Sequence, residues 1–271
     1  MVDGVKSAGE IIGREELPEQ EYTCEKHGKY RGKPVKFMLF GQVHDPICPQ
    51  CLAEDEAKTA EEERKKAEKR KETERVNRLT GLNIGKIFWN ESFETFNAYT
   101  PELRHHLSIC VDFAKDHKGR KLVMLGNNGT GKNHLAASIL KVTGGVIHKI
   151  YEIELMFDQT FSGEIHKWEI IKRLCETEML VIDEIGRSKA SDFELNWLSY
   201  VIDKRHENYR PLVLISNKHL KDDCPHGGCP DCLQNFMGND ILSRITENGL
   251  IMEFTGDDYR RKKRMGMGNN E

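Results

Sequence analysis

Residues 121–142 read KLVMLGNNGTGKNHLAASILKV, and the order of chemistry within them decides the fold. A short apolar run at 121–125 has the length of a buried strand, and a helical pattern begins at His134 and continues to Val142. Between them stands a glycine-rich turn that ends in lysine. Glycines let the backbone fold tightly and aim its N–H groups inward, the new helix adds its positive N-terminal end, and Lys132 supplies a counter-charge for the β and γ phosphates. This is a P-loop, and its candidate nucleotide contacts are Gly126, Asn127, Asn128, Gly129, Thr130, Gly131, Lys132, Asn133 and His134. The pattern ordinarily closes on a Ser or Thr hydroxyl that ligates Mg²⁺, whereas Asn133 offers an amide oxygen.

Four further apolar runs follow the same logic: VIHKIY at 146–151, MLVID at 179–183, LVLIS at 212–216 and LIMEF at 250–254. Helix-length segments separate them, as parallel strands require, so the chain reads as α/β with a five-stranded parallel sheet. The third strand delivers Asp183 and Glu184 at its carboxyl end, where a P-loop on a neighbouring strand would lie. There Asp183 holds Mg²⁺ through its water shell and Glu184 polarises the attacking water. The fourth strand ends in Ser216-Asn217, within reach of the γ-phosphate and that water.

Around this core the 271-residue chain has room for a small appendage. Residues 1–21 lack periodicity and read as a flexible tail, 22–52 form a unit rich in Gly, Pro and Cys, and 53–80 are nearly all Ala, Glu, Lys and Arg. That last stretch predicts one long charged helix with too little apolar surface to anchor a core, joined to an ATPase domain at 81–271. No stretch is long and apolar enough to span a membrane and the N-terminus lacks a signal-peptide core, so a cytoplasmic, membrane-free protein is expected. A net charge of −3 gives no global attraction for nucleic acid, so any such contact comes from local patches. One basic run, RRKKR at 260–264, stands seven residues before the last residue given.

In a reducing compartment eight cysteines are not a disulfide framework, and six of them fall in two clusters. Cys24 and His27, then Cys48 and Cys51, are two pairs at knuckle spacing, a donor set for structural Zn²⁺, with His44 as the substitute for His27. The second cluster, at 224–232, contains Cys224, His226, Cys229 and Cys232, and predicts a closed zinc knuckle. Cys110 and Cys175 stand alone in apolar surroundings and read as packing residues.

SFETFN at 92–97, GTGKNHLAASI at 129–139, MLVIDEIG at 179–186, LISNKHL at 214–220, ILSRI at 241–245 and FTGDDYR at 254–260 together resemble the AAA+ ATPases of the DnaC type. Those are replicative helicase loaders, with IstB transposition ATPases as close relatives. The resemblance covers about two thirds of the chain, and its DnaC branch commonly carries Asn after the P-loop lysine. It implies subunits that self-associate side by side through their ATP sites. Arg244 is then the arginine finger, Asn217 sensor one and Arg260 sensor two, although Ser243 stands where the family often has Asp. It also implies a loop at 155–169 facing the assembly's channel, with Phe161, Phe157 and Lys167 as single-stranded DNA contacts, and Ser191 and Phe193 as further ones by match. The function so implied is ATP-dependent loading of a replicative DNA helicase, the zinc module and charged helix contacting the helicase. The alternatives are an IstB-like transposition ATPase acting on duplex DNA and a zinc-bearing, nucleotide-binding adaptor without turnover.

Overall fold

The computed structural model describes residues 14–37, 41–159, 166–187, 191–220, 224, 229, 231–256 and 258–259. The chain divides into two units, Met1–Arg75 and Val76–Glu271.

In the first unit β1 (Arg14–Glu16), β2 (Gln20–Cys24), β3 (Gly28–Gly32), β4 (Val35–Phe37) and β5 (Val43–His44) are short and antiparallel. The segment expected as a tail up to residue 21 is therefore partly ordered: β1 pairs with β4, and β2 forms a hairpin with β3. Gly28 makes the turn at φ +78°, and Tyr22 stacks on Tyr30 across the hairpin at 5.7 Å. Helix α1 (Pro49–Gly81) starts earlier than the composition shift at 53, because Pro49 is preorganised for a first helical turn. Cys51 consequently lies on that first turn. The helix is exposed along nearly its whole length and carries i,i+4 pairs such as Arg70–Glu74 at 2.9 Å and Lys65–Glu61 at 3.3 Å, as its composition predicts.

The second unit is built on β6 (Lys121–Gly126), β7 (Val146–Lys149), β8 (Leu180–Ile185), β9 (Leu212–Ser216) and β10 (Gly249–Phe254). Every pairing in this sheet is parallel and the strand order is β10-β6-β9-β8-β7. Side chains alternate between two cores, as a sheet covered on both faces requires. Val123, Leu125, Leu180, Ile182, Leu212 and Leu214 face one core, and Leu122, Met124, Val181, Val213 and Ile215 the other. Helices α2 (Pro101–Lys115) and α3 (Lys132–Thr143) cover the second face. Helices α4 (Ile150–Gln159), α5 (Lys167–Glu176), α6 (Asp192–Glu207) and α7 (Leu233–Thr246) cover the first.

Two expectations change here. The run 146–151 is not all strand: it ends at Lys149, because Ile150, Ile153 and Phe157 share one buried helical face. The strand bearing Asp183 is also not next to the P-loop strand, since β9 lies between β6 and β8. Cys110 is fully buried and Cys175 partly so, packed against the core. Arg205, fully buried, ties the layers together by donating to the carbonyls of Leu174 at 2.7 Å, Thr177 at 2.9 Å and Pro211; burial pushes its pKa down to about 9.

Candidate nucleotide site and metal centres

Gly126, Gly129 and Gly131 hold φ of +113°, +76° and +100°, which side chains rarely adopt, and each is also hemmed in. A Cβ on Gly126 would lie 2.2 Å from the Phe254 carbonyl, one on Gly129 would meet the Asp258 carboxylate at 1.8 Å, and one on Gly131 the Phe96 ring at 2.7 Å. Lys132 is buried and donates to the carbonyls of Gly126 at 2.7 Å and Asn127 at 2.6 Å. Its ammonium is thus held against the loop's own backbone. Asn127 and Asn128 are exposed, and Thr130 is buried with its hydroxyl on Asn127 O at 2.9 Å.

Across β9, the Asn133 amide donates to Asp183 Oδ2 at 2.8 Å, which joins the P-loop helix to the end of β8. The amide oxygen of Asn133 and the Asp183 carboxylate are the hard donors that fit Mg²⁺. Burial raises the Asp183 pKa, opposed by bonds from the Glu184 N–H and Asn133. The next residue, Glu184, sits at φ +60°, a strained conformation for a side chain of its size. Its carboxylate accepts from Lys149 at 2.9 Å and from Arg187. Burial pushes its pKa up, but those two cations outweigh burial and hold it below the usual glutamate range. Lys149 and Arg187 also both lie over the Tyr151 ring. Neither cation was singled out by sequence; the available signal was a lysine ending β7 in register with Asp183.

Asn217 is exposed, one residue beyond β9, and so lies at the strand end between those of β6 and β8. Arg244 is half-exposed on α7, its Nε 2.9 Å from Asp203 Oδ1 of α6, close in distance though not aligned as a hydrogen bond. Asp203 thus supplies the acidic neighbour that Ser243 does not. Arg260 lies outside the described residues, but Tyr259 just before it donates its N–H to Gly129 O at 3.0 Å. His134 bonds the Ser92 carbonyl at 2.7 Å and stands edge-on to Phe96 at 5.1 Å, fastening the 92–97 segment over the P-loop.

In the first unit Cys24, His27, Cys48 and Cys51 converge. His27 Nδ1 lies 3.8, 3.7 and 3.3 Å from the sulfurs of Cys24, Cys48 and Cys51, and Cys24 lies 3.6 Å from Cys51. A zinc tetrahedron with bonds of about 2.0–2.3 Å has edges of about 3.5–3.8 Å, so this donor set fits Zn²⁺. Glu54 takes the other ring nitrogen at 3.1 Å, the outer partner that orients a ligating histidine. His44 packs edge-on against Phe37 and is not among these donors. In the second cluster Cys224 and Cys229 are joined by His219, which sequence reading overlooked; His226 lies outside the described residues and Cys232 is buried at the start of α7.

Of the expected DNA contacts, Phe161 lies outside the described residues, and Lys167 and Phe193 come together, the ammonium 4.8 Å from the ring centroid. Phe193 is 44% exposed, whereas Phe157 is buried beneath it. Ser191 caps α6 by accepting from Glu194 N–H. No helix among the described residues is long and apolar enough to cross a membrane.

Comparison with known proteins agrees with this geometry. A replicative helicase loader DnaC from Buchnera aphidicola subsp. Schizaphis graminum is 28% identical over 197 residues, covering 69% of this chain and 76% of the relative. The loader of the same name from Escherichia coli K12 is 26% identical over 187 residues, 65% of this chain and 72% of the relative. A crystal structure of the DnaC helicase loader superposes with a TM-score of 0.55 at 20% identity, covering 63% of this chain and all of that one. The family model described as IstB-like ATP binding protein matches residues 57–266. Spanning the P-loop, the Asp183-Glu184 strand end and the Arg244 helix alike, that match means that the chain belongs to the IstB-like ATP-binding family.

Proposed function

We propose that this protein is an ATPase that loads a replicative DNA helicase at replication initiation and holds single-stranded DNA while doing so. The observation that carries the reading is the Asn133–Asp183 bridge at 2.8 Å, which brings the P-loop helix to the carboxylate at the end of β8. Similarity to proteins named DnaC supports the loader role.

In this mechanism Lys132 exchanges its two backbone carbonyls for phosphate oxygens, and the N–H groups at the start of α3 bind the same anion. Asn133 and Asp183 would hold Mg²⁺, which would supply neutralising charge to the phosphates. Glu184 accepts a proton from water after leaving Lys149 or Arg187. Asn217 orients that water, and Arg244 reaches the nucleotide of an adjacent subunit, so hydrolysis depends on self-association; Arg260 binds phosphate as sensor two. Lys167 and Phe193 offer single-stranded DNA a charge and a stacking face, with Phe161 and Ser191 completing the contact. Cys24, His27, Cys48 and Cys51 would hold zinc, which would tie together the unit that, with the charged helix, docks on the helicase.

A second reading, a nucleotide-binding adaptor without turnover, draws support from the two cations that occupy Glu184. Two measurements separate the readings. Capture from native extract with the tagged full chain should retain the replicative helicase, and ATP turnover should be detectable with single-stranded DNA present. Retention of a transposase favours the IstB-like role on duplex DNA, and absence of turnover with the helicase retained favours the adaptor.

A further inference from the structure

The segment between β9 and α7 is closed at its base by backbone pairing. His219 N–H donates to the Asp231 carbonyl at 2.9 Å, Leu233 N–H donates to the His219 carbonyl at 2.9 Å, and His219 bridges Cys232 in parallel. This pairing brings a histidine that stands outside the cysteine-rich stretch into contact with it. His219 Nε2 lies 3.5 Å from Cys229 Sγ, the nitrogen-to-sulfur edge of about 3.5 Å that a zinc tetrahedron would have. The ligand atoms of His219, Cys224 and Cys229 all fall within 4.8 Å of one another. Cys229 is held in place by its own carbonyl, which accepts from Asn235 Nδ2 at 3.1 Å and from the Cys232 N–H at 3.4 Å.

We infer that His219, Cys224 and Cys229 hold a second, structural zinc ion, and that Cys232, which stands outside their 4.8 Å cluster, turns its sulfur in as the fourth donor in place of His226. Cys232 follows Cys229 at the two-residue spacing of a zinc knuckle and is buried at the N-cap of α7. Four protein donors leave no open position, so the metal fixes structure and takes no part in hydrolysis. Its place in the chain gives its effect. His219 follows the strand-end Asn217 by two residues, and Cys232 immediately precedes the helix that carries Arg244. Metal binding therefore pins the end of β9 to the start of α7. The site depends on side-chain positions alone and does not rest on the loader reading.

The test uses the full chain and zinc itself, with neither ATP nor helicase in the readout, so failure of the loader reading leaves it unaffected. Purified protein should hold about two zinc ions. In a Cys48→Ser, Cys51→Ser background about one should remain; His219→Gln should remove it and His226→Gln should not. Loss with His226→Gln and retention with His219→Gln overturns the assignment, as does a zinc-free background variant. Cysteine alkylation read by mass spectrometry provides a second measure in the unmodified chain, where the first site is intact. Cys224, Cys229 and Cys232 should be protected until a chelator is added and modified after it. Equal modification with and without chelator refutes the site.

Discussion

Replacing Lys149 with Met removes an ammonium from Glu184 while keeping the aliphatic stem over Tyr151. The bond is 2.9 Å long, and charge-assisted hydrogen bonds of this kind are worth about 1.5–3 kcal/mol net. Lys149 is 37% and Glu184 20% exposed, so solvent screens part of that, leaving about 1 kcal/mol. If Glu184 must leave this pair to act on water, Lys149→Met lowers the barrier by that amount and raises kcat about five-fold. Phosphate release at saturating ATP measures it, with a fluorescent-nucleotide titration to establish that ATP affinity is unchanged. The pH profile adds a sign. The two cations hold Glu184 below the usual glutamate range, so the base stays ionised and the wild-type rate holds until the pH falls below that range. Losing Lys149 lets the pKa rise, and the acid limb should move to higher pH. A fall in kcat, or an acid limb that does not move, refutes the reasoning.

Asp183 is buried with a raised pKa, so the folded state binds more protons than the unfolded state above the ordinary aspartate value, and stability declines as pH rises through that window. Asp183→Asn should therefore raise the melting temperature of nucleotide-free protein and shrink the stabilisation by Mg-ATP; a lower melting temperature contradicts this. Arg205→Met leaves several buried carbonyls without their donor and should cost about 3–5 kcal/mol in denaturant unfolding. A loss below about 1 kcal/mol would mean that water replaces the guanidinium. Arg244→Ala and Lys132→Ala should each be inactive alone and regain ATPase activity when mixed, because fingers acting across an interface contribute about 10³–10⁵ in rate. Mixed oligomers that form yet stay inactive would make Arg244 a residue of its own subunit, consistent with its pair to Asp203.

The five apolar runs were legible as strands because buried parallel strands need side chains suited to both faces, and the P-loop because its glycines and lysine have few other uses together. Boundaries failed where two patterns overlapped: Ile150 continues an apolar run yet starts a helical face. Strand order was not legible, since nothing in the spacing of Asp183 from Lys132 says that β9 lies between their strands. Partners brought in by the folded chain escaped for the same reason. Lys149 and Arg187 on Glu184, Asp203 beside Arg244 and His219 beside Cys229 are ordinary surface residues until the fold juxtaposes them. By contrast Cys24, His27, Cys48 and Cys51 were legible outright, because two close pairs carry their own geometry.

The most direct test of the account is ATP binding and turnover in Lys132→Ala and Glu184→Gln beside wild type, with single-stranded DNA present. Lys132→Ala should lose ATP binding if the buried ammonium serves as the phosphate counter-charge. Glu184→Gln should bind ATP as wild type does and lose turnover. Wild-type hydrolysis by Glu184→Gln, or undiminished ATP affinity in Lys132→Ala, would contradict the assignment of this site.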